Sequence, residues 1–472
     1  MKQFLINLIV LCTTFFTTTV QAHVITYKQT SNLTDMFETG NLTNGVAVAN
    51  LPKEMVLATS ASVSPVNVPL LGRTIDASYF GLHMKGVYYK PDSVQWPSVN
   101  FKSWRLSHGD FAWFSLEPVK GHWNFANLDR AIQIATYHRV DAMLTLGFPP
   151  AWASTLPLVK GPYVYGENGG PRDINDWRVY VQTVAKRYRG RIQYYELWNE
   201  PQLKEVDGPA ANFSGAQLAQ LAKVASEEIR KVDPTARIVS PSMVGGDRGV
   251  ARLRSFLAGG GGQWVDIIGF HFYAWPEEIP NMVKTVQKVM TEYRLDKMPL
   301  WNTEFGFVIS DPEHANTYPV GGGGSLGRVL DENEAAGFVA RSLILGAAAG
   351  LDRFFWFGWD YRDMSLVRSY SDYSLKLPGK AYEITNKWLV GSKISPCNSI
   401  SGTWSCDITL ADGGYGRILW VEKESQAGLA KCPGGIVWKS YQTLFTLPIL
   451  IEKECRIPLS GIPILLRAIE IR

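Results

Sequence analysis

Between residues 76 and 391, short apolar runs alternate with segments of helical periodicity, and the alternation repeats eight times. The runs are Tyr79–His83, Phe101–Leu106, Val140–Leu146, Ile192–Trp198, Ala236–Ser240, Val265–Phe272, Pro299–Phe305 and Arg353–Phe357. Several are apolar almost without a break, as strands covered on both faces by crossover helices must be. Between them Trp177, Tyr180, Val181, Val184 and Tyr188 recur at helical spacing, as do Met282, Val286, Val289 and Tyr293. Ser214-Gly215-Ala216-Gln217 reads as a capping box opening a helix with Leu218, Leu221, Ala225 and Ile229 on one face. A further helix is expected over Phe338–Ala349. Strand and helix repeated eight times predict an α/β fold, a (β/α)8 TIM barrel rather than an open sheet. The first crossover is short and holds Pro91 and Pro97, so it is the least helical of the eight.

After Gly391 the helical signal stops. Thr403–Leu410, the turn Ala411-Asp412-Gly413-Gly414 and Tyr415–Glu422 predict a hairpin, and Pro463–Ile471 a closing strand. The expected organisation is a signal peptide over 1–22, an extended segment over 23–75, the barrel over 76–391 and a small sandwich-like β domain over 392–472. Residues 23–75, rich in Thr, Ser, Asn and Val, read as a linker or as strands that pack on the β domain.

The leader has Lys2, a largely apolar Phe4–Phe16 and the small-residue pattern Val20-Gln21-Ala22, which places the mature start at His23. Its apolar run is shorter than the roughly 18 residues of a span, so no integral membrane segment is expected once it is removed. A secreted or periplasmic location follows. Large Leu11 ahead of Cys12 argues against a lipoprotein box. The remaining Cys397, Cys406, Cys432 and Cys455 all fall in the β domain. Four cysteines in an exported chain allow three pairings, of which the sequence-near Cys397–Cys406 and Cys432–Cys455 are expected.

The 47 basic and 43 acidic residues leave a formal charge of +4 with no long basic run, which does not indicate a nucleic-acid partner. There is no HExxH and no CxxC, so neither a metal nor a cofactor is indicated. Barrel active sites lie at the C-terminal strand ends. The fourth expected strand ends in Glu196-Leu197-Trp198-Asn199-Glu200-Pro201 and the seventh in Trp301-Asn302-Thr303-Glu304-Phe305-Gly306. Two carboxylates at such positions would face each other across the barrel mouth. Cleavage of a glycosidic bond needs such a pair, one protonated to release the leaving oxygen and one ionised.

The Trp-Asn-Glu-Pro and Thr-Glu-Phe-Gly strings resemble those of clan A glycoside hydrolases. The resemblance runs through most of residues 79–391. It includes Trp104-Arg105-Leu106, Trp113 with Glu117-Pro118 and Gly121, Phe148-Pro149-Pro150-Ala151-Trp152, His271-Phe272-Tyr273 and Trp356. Within the clan the chain is most similar to family 39-type bacterial enzymes associated with exopolysaccharides, which also carry a C-terminal β domain. Residues 307–330, with the Gly321–Gly324 run, depart from that pattern.

The resemblance implies Glu200 as acid/base and Glu304 as nucleophile of a retaining hydrolase acting on a polysaccharide or oligosaccharide. It also implies Arg105 near the nucleophile, Asn199 near a sugar 2-hydroxyl and Tyr273 bonded to Glu304. His271, His83, Trp152 and Trp356 are candidates for binding or supporting roles, against the plainer reading that strand-end His and Trp residues simply pack. Trp113, Trp152, Trp275 and Trp359 are expected to line a groove for an internally cut polymer, with 307–330 as one wall. A transglycosylase or exo-glycosidase would use the same site. A polysaccharide-binding protein on an inactive barrel is the alternative of another class. Gly323-Gly324-Ser325-Leu326-Gly327 matches a nucleophile elbow, but the polar, Pro-interrupted residues before it give no strand to carry one.

Overall fold

The computed structural model describes residues 72–90, 94–107, 109–310, 329–369, 372–451 and 454–469. The leader, the segment up to residue 71, and residues 311–328 with the glycine run and the elbow-like match lie outside the described residues.

Eight parallel strands close a barrel. They are β1 (Phe80–Leu82), β2 (Ser103–Leu106), β3 (Asp141–Leu146), β4 (Tyr194–Leu197), β5 (Arg237–Val239), β6 (Ile268–His271), β7 (Leu300–Phe305) and β8 (Arg353–Trp356). Each falls inside one of the eight apolar runs. Pro241 interrupts β5, which resumes as Met243–Val244 and pairs with β6 through Met243↔Phe270 and Val244↔His271. β1 pairs with β2 on one side and β8 on the other, which completes the ring.

Among the described residues, seven long helices cover the barrel: α1 (Ala126–His138), α2 (Ile174–Arg187), α3 (Gly215–Val232), α4 (Gly246–Ala258), α5 (Ile279–Glu292), α6 (Glu332–Ala348) and α7 (Leu377–Leu389). Among its described residues, the crossover after β1 holds the single helical turn Gly86–Tyr89. α3 opens on the expected capping box: Gln217 N–H donates to Ser214 Oγ and Ser214 N–H to Gln217 Oε1. α6 starts six residues before its first strongly apolar position. Asp331 and Glu334 form a second capping box there, and a polar first turn gives no hydrophobic period to read.

Barrel side chains alternate in and out along each strand. Met143, Val239, Ile267, Trp301 and Phe355 fill the interior. Below them Arg353 donates to Ser103 Oγ, Asp141 Oδ2 and Tyr194 Oη, so its buried charge is paired.

The β domain is built on the expected hairpin, Thr403–Thr409 with Tyr415–Val421. Ile464–Ala468 pairs with its second strand and also with Trp438–Thr443. A two-stranded ribbon, Gly428–Lys431 with Arg456–Leu459, covers this sheet over Leu419, Val421, Trp438, Ile457 and Leu466. The bridges Cys397–Cys406 and Cys432–Cys455 both form. The domain sits on α6, where Gly337 is required: a Cβ there would lie 2.6 Å from the Gly461 carbonyl oxygen. Residues 72–75 run beside the barrel's last turn, with Ile75 N–H donating to the Ser392 carbonyl.

Candidate active site

The strand ends gather one connected polar cluster. Arg105 on β2 is fully buried at its centre. Its Nε and Nη2 donate to Glu196 Oε2 at 2.9 and 2.6 Å, Nη2 also to Asn199 Oδ1 at 2.6 Å, and Nη1 to Glu304 Oε2 at 2.7 Å. Tyr273 Oη donates to the other oxygen, Oε1, of Glu304 at 3.0 Å. Burial raises the Tyr273 phenol far above its ordinary value, and the Glu304 and Glu200 charges add to that, so it stays a donor.

Glu200 follows β4 on a backbone with φ 46°, after Trp198 at φ 93°. Side-chain-bearing residues at positive φ cost about 1–3 kcal/mol each. Here Ser242 enforces both: Glu200 N–H donates to the Ser242 carbonyl and Ser242 N–H to the Trp198 carbonyl. His271 Nδ1 lies 2.8 Å from Glu200 Oε1, while its Nε2 is buried without a partner among the described residues. An Nδ1–H imidazole donating to Glu200 avoids burying an unpaired N–H. His83 Nε2 donates to the Thr303 carbonyl at 3.1 Å, which braces the residue before Glu304.

One oxygen of Glu200, one of Glu304 and a ring nitrogen of His271 all lie within 4.8 Å of one another. Three such ligands are also close enough to hold a cation. The Arg105 guanidinium 2.7 Å from Glu304 opposes a second positive charge there.

A cavity of about 400 Å³ opens over the pair. Arg105, Asn199, Glu200 and Glu304 form its floor, with His83, Phe148, Tyr163, Phe357 and Tyr361 around it. Asp110, which accepts from Tyr88 Oη at 3.0 Å, adds a polar edge.

The structure thus brings together Glu200, Glu304, Arg105, Asn199, Tyr273, His271 and His83. It does not bring the expected tryptophans to them. Trp356 is fully buried on the outer face of β8 against Phe305 and Phe307. The pleat turns Phe355 and Phe357 inward, so Phe357 is the β8-end aromatic at the cavity. Trp152 donates to the Glu117 carbonyl and packs on Trp113, away from the cavity lining. Trp113 and Trp359 are buried, and Trp275 lies in a different depression between α6 and the β domain. None of the four therefore lines the carboxylate cavity: Trp113 and Trp359 have their rings in the core, and Trp152 and Trp275 lie outside its lining.

Several residues of the cluster carry no motif. Glu196, fully buried, accepts from Thr145 Oγ1 at 2.6 Å and Ser242 Oγ at 2.5 Å as well as from Arg105. Ser242 Oγ lies 2.6 Å from Thr303 Oγ1. Burial pushes the Glu196 carboxyl up, but the Arg105 cation and these hydroxyls outweigh it and hold it below the ordinary carboxylate value. The signal that would have found them is a polar residue at an inward position of an otherwise apolar strand.

Fold and site together make a (β/α)8 barrel with a carboxylate pair at its C-terminal strand ends. The family described as "Glycosyl hydrolases family 39" matches residues 99–321. Among solved structures, a family 39 glycoside hydrolase from Bacteroides cellulosilyticus WH2 superposes with TM-score 0.62 at 17% identity, over 84% of this chain and 81% of that one. A monomeric beta-xylosidase from Caulobacter crescentus CB15 gives TM-score 0.57 at 13% identity, over 85% and 98%. At these identities the likeness is one of fold. By sequence, Endo-1,4-beta-xylanase A of Humicola insolens is 24% identical over 187 residues, 37% of this chain. That match spans about half the length, 48%, of the curated relative. The family 39 match covers the part of the barrel that carries Arg105, Glu200 and Glu304.

Proposed function

We infer that the protein is a retaining O-glycosidase acting by double displacement, with Glu304 as nucleophile and Glu200 as acid/base. The observation that carries the reading is the approach of one oxygen of Glu200 to one of Glu304 to within 4.8 Å. Retaining pairs stand about 5–5.5 Å apart, whereas inverting pairs need about 6.5–9.5 Å to admit a water.

Their partners assign the roles. Glu304 accepts from the Arg105 guanidinium on one oxygen and from the Tyr273 hydroxyl on the other, which fixes its position for attack. Glu200 faces the imidazole of His271 rather than a fixed cation, which suits a carboxyl that hands over a proton and takes one back. In the first step Glu304 attacks the anomeric carbon while the proton of Glu200 passes to the departing glycosidic oxygen. In the second, ionised Glu200 takes a proton from water, and the resulting hydroxide displaces Glu304. Each displacement inverts the carbon, so the two together retain its configuration.

The substrate we propose is a polysaccharide cut internally. The names of the relatives make xylan and aryl β-xylosides the first compounds to try. The leader and the two bridges support export, and the barrel over 76–391 and the β domain over 392–472 are the proposed working units. The test is a reducing-end assay across plant and bacterial polysaccharides, with anomeric NMR of the first product. Release of a product with the substrate's own anomeric configuration is expected. An inverted product, or no turnover on any glycoside, would contradict the reading.

A further inference from the structure

The loop between β3 and α2 folds back as a small hairpin at the cavity rim. Lys160 and Tyr165 bridge antiparallel, Gly161 N–H donates to the Val164 carbonyl at 3.0 Å, and Gly166 N–H to the Val159 carbonyl at 2.9 Å. Glu167, only 2% exposed, holds the tip from within by accepting Tyr163 N–H at 2.5 Å and Val164 N–H at 3.0 Å on Oε1. Gly161 has no alternative here: a Cβ would lie 2.3 Å from that same oxygen. The tip is therefore fixed, and what it presents is apolar. Tyr163 is 52% exposed and Tyr165 54%.

Tyr163 and Pro162 form cavity wall together with Glu200 and Glu304. One side of the Tyr163 ring rests on Phe114, with centroids 6.1 Å apart and planes 28° from parallel. A ring buttressed on one side and half exposed on the other offers a flat face to a ligand. Pyranose rings carry apolar C–H faces that suit such a surface, and polar Glu167 and Asn168 beside it suit their hydroxyls.

We propose that Tyr163 is a sugar-binding platform outside the catalytic cluster, stacking a pyranose unit of the glycan other than the one being cleaved. The cavity is continuous from the carboxylate pair to this ring, so a glycan chain held at the pair reaches it directly. This inference rests on the glycosidase reading and specifies how that site holds a chain rather than a single sugar.

The test uses the full-length protein with two probes: the polysaccharide it cuts fastest in the panel, and the 2,4-dinitrophenyl monoglycoside of the same sugar. The quantity read is the ratio of KM on polymer to KM on monoglycoside. Tyr163→Ala should raise it about tenfold, in line with the worth of one aromatic contact. Tyr163→Phe keeps the ring and should stay within about twofold of wild type. If the alanine variant melts far below wild type, Tyr163→Leu, which still covers Phe114 but has no flat face, must give the same rise. A ratio unchanged in Ala and Leu overturns the platform and leaves the glycosidase reading standing. Absence of wild-type turnover on every glycoside overturns both.

Discussion

Replacing Glu196 by Gln probes the support of the cluster without touching either reacting carboxylate. The substitution keeps shape and removes one charge from a buried pair whose other member, Arg105, is fully buried. Two Arg105 donors and two hydroxyls converge on Glu196, and only one carboxylate, Glu304, then remains against Arg105. Breaking a buried pair from one side costs about 3–5 kcal/mol. With unfolding entropy near 2 cal/mol/K per residue over roughly 400 folded residues, 4 kcal/mol lowers Tm by about 5 °C.

The sign with pH follows from the direction of the Glu196 shift. Its folded carboxyl is held below the ordinary value. The stability it contributes is therefore fully present above about pH 4.3 and is lost as pH falls through the lower folded value. Wild type and Glu196→Gln should differ most at neutral pH and converge on acidification, as read by denaturant or thermal melts across pH 3–8. A variant within about 1 kcal/mol of wild type at pH 7, or a gap that widens in acid, would refute the reasoning.

Tyr273→Phe removes the Tyr273–Glu304 hydrogen bond, one of two donors to Glu304. Steady-state kinetics should show kcat lowered about tenfold, worth about 1.4 kcal/mol, with little change in melting temperature. Reducing the Cys432–Cys455 bridge, which closes a 23-residue separation, should destabilise the β domain by about 3 kcal/mol. Limited proteolysis should then cut within 392–472 before the barrel, and non-reducing peptide maps of untreated protein should show both near pairs.

The barrel was legible because its strands are buried on both faces, and buried parallel strands announce themselves as apolar runs. Two boundaries were not. The polar first turn of α6 hides its start behind a capping box, and Pro241 splits β5 so that Ser242 falls outside the run. The reacting pair was legible because motifs mark it. Its support was not, because Thr145, Glu196 and Ser242 carry no signature of their own and join Thr303 in one network only once neighbouring strands are in register. Trp356 failed for a related reason. A strand's face alternates with every residue, and a likeness of sequence strings does not show which side the pleat presents. The short strands of the β domain, such as Gly428–Lys431 and Arg456–Leu459, are too brief and too mixed in composition to stand out.

The division of labour between Glu200 and Glu304 is tested most directly by chemical rescue. Glu200→Ala has no proton donor, so 2,4-dinitrophenyl glycosides, whose leaving group needs none, should still form the glycosyl-enzyme on Glu304. Water then attacks slowly, and added azide, which requires no base, should accelerate turnover and yield a glycosyl azide of the substrate's own configuration. Glu304→Gln should give neither effect under the same conditions. An inverted azide from Glu200→Ala, or azide rescue of Glu304→Gln in its place, would contradict the assignment.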